Sequence, residues 1–236
     1  MTDRREVTCR RWRATFLVLA SLASLTWAFA GVLNPAMSQL HAFVSEYSAR
    51  DQPWRYLFQT TDVIMGTLLC LAGLATLVWA RHRPLGRQGW SGVGFVAGGF
   101  FSVLDALVTM DCSPTRSQAC MAAEEAGHVS VNHVVHVGTS TIVVVGFALP
   151  ILLLNSTMTR FRGFGLVVTW AWVVFTLLNG IGAVGWFVGT PMDYTGIWQR
   201  FSLGLGTLWW LILAADDIVT ARVQDRALLL SSLTRS

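Results

Sequence analysis

The chain has 236 residues, 53% of them hydrophobic and only 13% charged, and its 17 Lys+Arg against 13 Asp+Glu give a net charge of +4. That is about half the charge of an ordinary soluble domain, which excludes a soluble globular fold. The small basic surplus gathers at the ends of apolar segments, so it reports membrane topology and not nucleic-acid binding.

A bilayer core of roughly 30 Å takes about 20 apolar residues per helix. Such stretches recur along the whole chain, and the sequence predicts a single all-α integral-membrane domain over residues 1–236 with six spans. The first covers 14–33. Its Arg-rich start and the AFA before Gly31 also fit a cleavable signal peptide, and the other five spans keep their orientation either way. The second covers 54–80 and carries Asp62. The third, 89–110, contains GVGFVAGG and Asp105. Gly94 and Gly98 lie four residues apart on one helix face, which reads as a close-packing surface and not a nucleotide loop. The fourth span, 130–154, opens within GHVSVNHVVHVGTS (127–140), which holds three of the five histidines. The fifth, 164–188, ends near the pair Gly185 and Gly189, and the sixth covers 196–217. After it, ALLLSSL reads as a short amphipathic piece along the membrane surface, with a disordered end as the alternative. Six tryptophans, at 54, 172, 186, 198, 209 and 210, fall mostly near span ends as an interfacial belt.

Lysine is absent, so arginine alone orients the bundle. Thirteen arginines (4, 5, 10, 11, 13, 81, 83, 87, 160, 162, 222, 226 and 235) fall on one side and four (50, 55, 116 and 200) on the other, which places both termini in the cytoplasm and the protein in the plasma (inner) membrane. Cys112 and Cys120 then share an outer connection where oxidation is permitted, and a disulfide between them is expected. Cys9 and Cys70 read as inert thiols.

Ionisable groups are costly in a bilayer and usually face a bundle interior or a wet cavity. At 1.5 Å per residue, Asp62 lies roughly 12 Å, Asp105 roughly 8 Å, His133 and His136 roughly 5 and 9 Å, Ser140 about 15 Å and Arg200 roughly 6 Å in from the outer ends of their spans. Four spans thus place polar groups in one outer layer, whereas the inner half shows nothing comparable before Asp216 and Asp217 at its edge. Above that layer the outer connections add His41, Glu46, Asp51, Asp111, Glu124, Glu125, His128 and Asp193. His133, His136 and Ser140 fall within roughly 60° of one another on a helix and form one stripe.

Three readings of that stripe stand open. A zinc ion could be held by His133 and His136 with a carboxylate from Asp111, Asp62 or Asp105, leaving a position for activated water. The same histidines and carboxylates could form a metal-free acid/base or proton-relay site. A satisfied polar network of Asp62, Asp105, His136 and Arg200 could instead fix packing or line a lipid cavity. Ser140 is a nucleophile candidate beside His136, against the plainer expectation that it bonds to its own helix carbonyl. Arg200, beside Gln199, either binds a lipid phosphate or acidic headgroup or pairs with Asp62, Asp105 or Asp193.

With these residues in view, the chain resembles the uncharacterised bacterial integral-membrane family called domain of unknown function 998. The resemblance rests on SEYSARDQPWRYLFQTTDVIMG (45–66), MDCSPTRSQAC (110–120) leading into HVSVNHVVHVGTS, and GIWQRFSLG (196–204). It implies a six-helix membrane protein that shares the disulfide loop and the HVVH stripe, and no established activity. A looser similarity is to ceramidase and adiponectin-receptor membrane hydrolases. Those have seven spans and a late H-x-x-x-H pair, where this chain has H-x-x-H in its fourth span and no late histidine.

The expected site is therefore an outward-opening pocket with Asp62, Asp105, His136 and Ser140 in catalytic roles, His133, His136 and Asp111 as metal ligands, and Arg200, Gln199 and Asp193 as headgroup contacts. The sharp functional expectation is a metal-assisted hydrolase of a lipid or amphiphile. The alternatives are a non-enzymatic lipid binder or small transporter, and a structural accessory subunit. Membrane lipids are the expected partners.

Overall fold

The computed structural model describes residues 4–80, 86–188 and 194–233. Helix α1 (Arg4–Ser24) continues through a 3-10 turn and the short α2 (Ala30–Leu33), and together these make the first of six helices long and apolar enough to cross a membrane. The others are α3 (Arg55–Ala80), α4 (Arg87–Leu107), α6 (Val131–Leu154), α7 (Arg162–Phe187) and α8 (Thr195–Leu233), while the short α5 (Gln118–Glu125) lies in the connection between α4 and α6. Among the described residues there is no strand.

Two boundaries differ from the sequence expectation. The Arg-rich start is helical from Arg4, and the tail is no separate surface piece but a direct extension of α8 to Leu233. Charge pairing accounts for both. Arg10 and Arg13 are buried against Asp217, with Arg13 Nε 2.6 Å and Arg10 Nη1 2.9 Å from its carboxylate, and Arg11 pairs with Asp225. Glu6 bonds to both Arg10 and Gln224. The two chain ends therefore stay helical because each neutralises the other.

Close approach is built on glycine. A Cβ on Gly99 would sit 2.5 Å from the Gly66 carbonyl oxygen of α3, and one on Gly94 2.7 Å from the Gly146 carbonyl oxygen of α6. One on Gly98 would meet the Phe147 ring at 2.5 Å. Gly94 and Gly98 therefore do form the packing face expected of them, turned toward α6. For the pair at 185 and 189, Gly189 lies outside the described residues.

The helices are arranged as a series of neighbours, α7 on α8, α8 on α1, α1 on α3, α3 on α4 and α4 on α6. That order leaves α6 and α7 as the two free edges. They meet at one end only, where Asn155 donates to the Ile151 carbonyl (2.8 Å) and to Thr169 (2.7 Å) and accepts from the Trp209 indole (3.2 Å). There the main core, including Leu17, Leu69, Phe95, Ile151 and Trp209, fills the bundle. At the opposite end the connections 34–54 and 108–130 cover the helices, and toward that end α6 and α7 are separated by a cavity.

Candidate functional site

The connection after α4 sets the site. Asp111 accepts from the backbone N–H (2.6 Å) and the hydroxyl (2.8 Å) of Ser130, the N-cap of α6, and its own N–H donates to His133 Nδ1 at 3.3 Å. Burial raises the Asp111 carboxyl, but the Ser130 bonds and the charge of Arg50 outweigh it and hold the group below its ordinary value. The Cys112–Cys120 disulfide closes the next turn. Ser113 and Thr115 then donate to Glu46, a fully buried carboxyl of the first connection, at 2.5 and 2.6 Å. Burial pushes Glu46 above its ordinary value despite these bonds.

One turn into α6, His136 Nδ1 lies 3.1 Å from the carbonyl oxygens of both Asp105 and Val108, at the end of α4. Those carbonyls lack helical partners, so the ring nitrogen must be the N–H donor and the imidazole caps α4. Asp105 Oδ1 lies 3.2 Å from the same nitrogen. The Thr139 hydroxyl and, at 3.0 Å, the Ser140 hydroxyl donate to that carboxylate. Asp105, His136 and Ser140 are thus brought together as expected. Ser140 bonds neither to its own helix carbonyl nor to His136, so the arrangement is not a serine–histidine pair.

The three ligands expected for zinc are each engaged in hydrogen bonds or contacts of their own. His133 uses Nδ1 as an acceptor, which leaves its proton on Nε2, whereas His136 donates through Nδ1. Both Asp111 oxygens are taken by Ser130. Among the described residues no three His, Cys, Asp or Glu side chains are placed to hold a metal ion.

Arg200 is buried and makes no salt bridge to Asp62 or Asp105 among the described residues; Asp193 lies outside them. Its guanidinium donates to the carbonyls of Ala42 (2.8 Å) and Gly196 (3.0 Å) and to the Tyr47 hydroxyl (3.3 Å). Neighbouring Gln199 accepts from the Val44 N–H at 2.5 Å. Both residues hold the first connection on α8, which is why the expected ion pair does not form.

The cavity between α6 and α7 has a volume of about 400 Å³, within the usual range of small-molecule sites. Its walls are mostly apolar in surface, and the polar groups on them include His136 and Ser140 from α6, Asn179 from α7, Glu124 from α5 and Gln199 from α8, with the hydroxyls of Ser45, Thr141 and Thr176. Val145 and Val184, 61% and 62% exposed, belong to both the wall and the outer surface, so the mouth faces the side of the bundle. Three wall atoms are buried without any hydrogen-bond partner, namely His136 Nε2, Glu124 Oε2 and Asn179 Oδ1. Asp62 lines a separate cavity of about 130 Å³ at the bundle centre, which shares Val144 with the first.

A family model described as a protein of unknown function (DUF998) matches residues 17–216. The chain belongs to that family. The match takes in all of α2 to α7 and the cavity walls, and it stops at Asp216, next to the Asp217 that clasps Arg10 and Arg13. No curated protein and no solved structure matches the chain.

Sequence reasoning missed two parts of this site. Glu124 was legible only as one acid among several in a connection, because the short helix that carries it over the cavity has no strong periodic signal. Asn179 had a usable signal, a lone amide within TLLNGIG in an apolar span.

Proposed function

We propose that this membrane protein binds a single-chain amphiphile that enters sideways between α6 and α7. In the same reading both termini are cytoplasmic, the disulfide-bearing end faces outward, and the protein resides in the plasma membrane. The observation that carries the proposal is an apolar cavity, open on the lipid-facing side, with unpartnered polar atoms of His136, Glu124 and Asn179 in its wall. Buried polar atoms without partners cost about 1–3 kcal/mol each, and a ligand headgroup would offset that cost. A binder or small transporter fits this better than a purely structural subunit, whose interior gains nothing from such atoms.

Gly180 offers the test. It lies on the cavity wall, and a Cβ there would meet nothing within 4 Å, so Gly180→Leu obstructs the cavity without a backbone clash. Gly138 on α6 is equally open but does not line the cavity, which makes Gly138→Leu the control. Lipid extracted from purified protein and identified by mass spectrometry is expected to contain one amphiphile per chain, lost in Gly180→Leu and kept in Gly138→Leu. Equal lipid content in both variants sinks the proposal.

A proton-transfer step on the bound head is the second reading, and the free Nε2 of His136 favours it. Its opposite nitrogen is fixed by carbonyls and a carboxylate orients the ring, as a general base requires. Turnover of the extracted amphiphile that vanishes in His136→Gln while binding persists supports it. Unchanged turnover removes it.

A further inference from the structure

The headgroup that this cavity accepts can be read from the chemistry of its unpartnered atoms. Glu124 Oε2 is an acceptor whatever the orientation of the carboxylate. With Nδ1 donating to two carbonyls, the neutral form of His136 presents a lone pair at Nε2, a second acceptor. Asn179 can turn its amide either way and follows the ligand. None of the described lining residues is arginine, and the chain has no lysine. Arg200, the expected anion holder, turns its terminal nitrogens to the Ala42 and Gly196 carbonyls and Tyr47 and does not line the cavity.

An anionic headgroup would face the Glu124 carboxylate, and the imidazole beside that carboxylate, His133 with Nε2 at 3.8 Å from Oε1, does not line the cavity. A headgroup rich in N–H donors meets both acceptors. Gln199, whose oxygen is taken by Val44, keeps its amide N–H groups for an oxygen next to the ligand's nitrogen. His136 is 3% exposed, so this contact forms out of bulk water, where a charge-assisted hydrogen bond is strongest.

We propose that the cavity between α6 and α7 selects amphiphiles with a protonated amine head, held by Glu124 and His136. This rests on the amphiphile-binding reading above and adds the chemical class of the ligand. Full-length protein in phosphatidylcholine nanodiscs is titrated with labelled hexadecylamine, palmitate and hexadecanol, each corrected for uptake by empty discs. Hexadecylamine is expected to bind at least about tenfold more tightly than the other two, the scale of one charged hydrogen bond. Glu124→Gln should erase that advantage, and Glu125→Gln, at the exposed neighbouring position, should keep it.

If the three probes bind equally and Gly180→Leu weakens all of them, the headgroup inference falls while the cavity reading stands. Tighter binding of palmitate also overturns the inference. Absence of binding by any probe overturns both. The preference is measured on the unmodified chain, so it does not depend on how well a variant folds.

Discussion

His136 and Asp105 are bound to each other twice over: the imidazole caps the end of α4 through the Asp105 carbonyl at 3.1 Å and lies 3.2 Å from the same residue's carboxylate. Helix α6 is thereby fixed against α4 at the level of the cavity, and one ring nitrogen is left over. The residue that holds the helices together is also the one that faces the cavity.

Removal of the carboxylate should therefore loosen this junction. Asp105→Ala strips a partner from His136, Thr139 and Ser140 together and is expected to cost about 2–4 kcal/mol. Asp105→Asn keeps an acceptor and should cost less. Thermal unfolding of both variants in the same detergent measures the difference, and equal melting temperatures for the two would contradict it.

The clasp at the other end makes a larger demand. Asp217 is 0% exposed and the sole carboxylate bonded to Arg13 among the described residues. Asp217→Ala leaves the buried Arg13 guanidinium without a carboxylate and Arg10 with Glu6 alone, and should destabilise by about 3–5 kcal/mol. The Arg10 and Arg13 guanidiniums also rest on the Trp79 ring, at 4.6 and 5.4 Å, so Trp79→Leu is expected to cost about 1 kcal/mol through lost cation–π contact. Chemical denaturation midpoints rank the two.

The connections at the disulfide end should respond to acid in opposite senses. Glu46 has a folded pKa above its ordinary value of 4.5, so its burial opposes folding at neutral pH. That penalty is relieved as pH falls through the folded pKa and is gone below 4.5. Asp111 has a folded pKa below its ordinary 3.8, so its stabilising effect is present above 3.8 and lost as pH falls through the folded value. Amide protection factors around 43–48 and 113–115 should rise on mild acidification and flatten in Glu46→Gln. Those around 130–134 should fall only in strong acid. A rise at 130–134 under strong acid would refute the Asp111 assignment.

Two glycines should behave in opposite ways. Gly99→Ala drives a methyl group to 2.5 Å from the Gly66 carbonyl and 2.7 Å from the Cys70 nitrogen, both backbone atoms, and should cost about 1–3 kcal/mol. Gly138→Ala meets nothing within 4 Å and should gain up to about 1 kcal/mol in helix propensity. The ordering of melting temperatures checks the pair.

Much of the architecture was legible because the bilayer demands long apolar runs, and six of them stand out without any tertiary information. The cysteine pairing and the glycine face on α4 followed from the same logic of compartment and packing. The polar site was legible in membership and not in wiring. Depth along each span could bring Asp105, His136 and Ser140 to one level, but no spacing reveals that His136 would spend a nitrogen on α4 carbonyls or Ser140 bond to Asp105. Arg200 misled for a related reason. Its charge suggests a carboxylate partner, whereas its terminal nitrogens go to the Ala42 and Gly196 carbonyls and the Tyr47 phenol. The clasp of Arg10 and Arg13 on Asp217 escaped notice because its partners are more than two hundred positions apart, and nothing local marks such a meeting.

That separation bears on how the bundle comes to be assembled. The first helix emerges from the ribosome with two cationic groups whose shared carboxylate is encoded more than two hundred codons later, so its final seat against α8 cannot exist until Asp217 has been made. Until then the opening segment must keep those guanidiniums in the aqueous or headgroup layer. Docking of α1 on α8 consequently follows synthesis of every helix between them, and chains cut short before residue 217 should be left as substrates for membrane quality-control proteases.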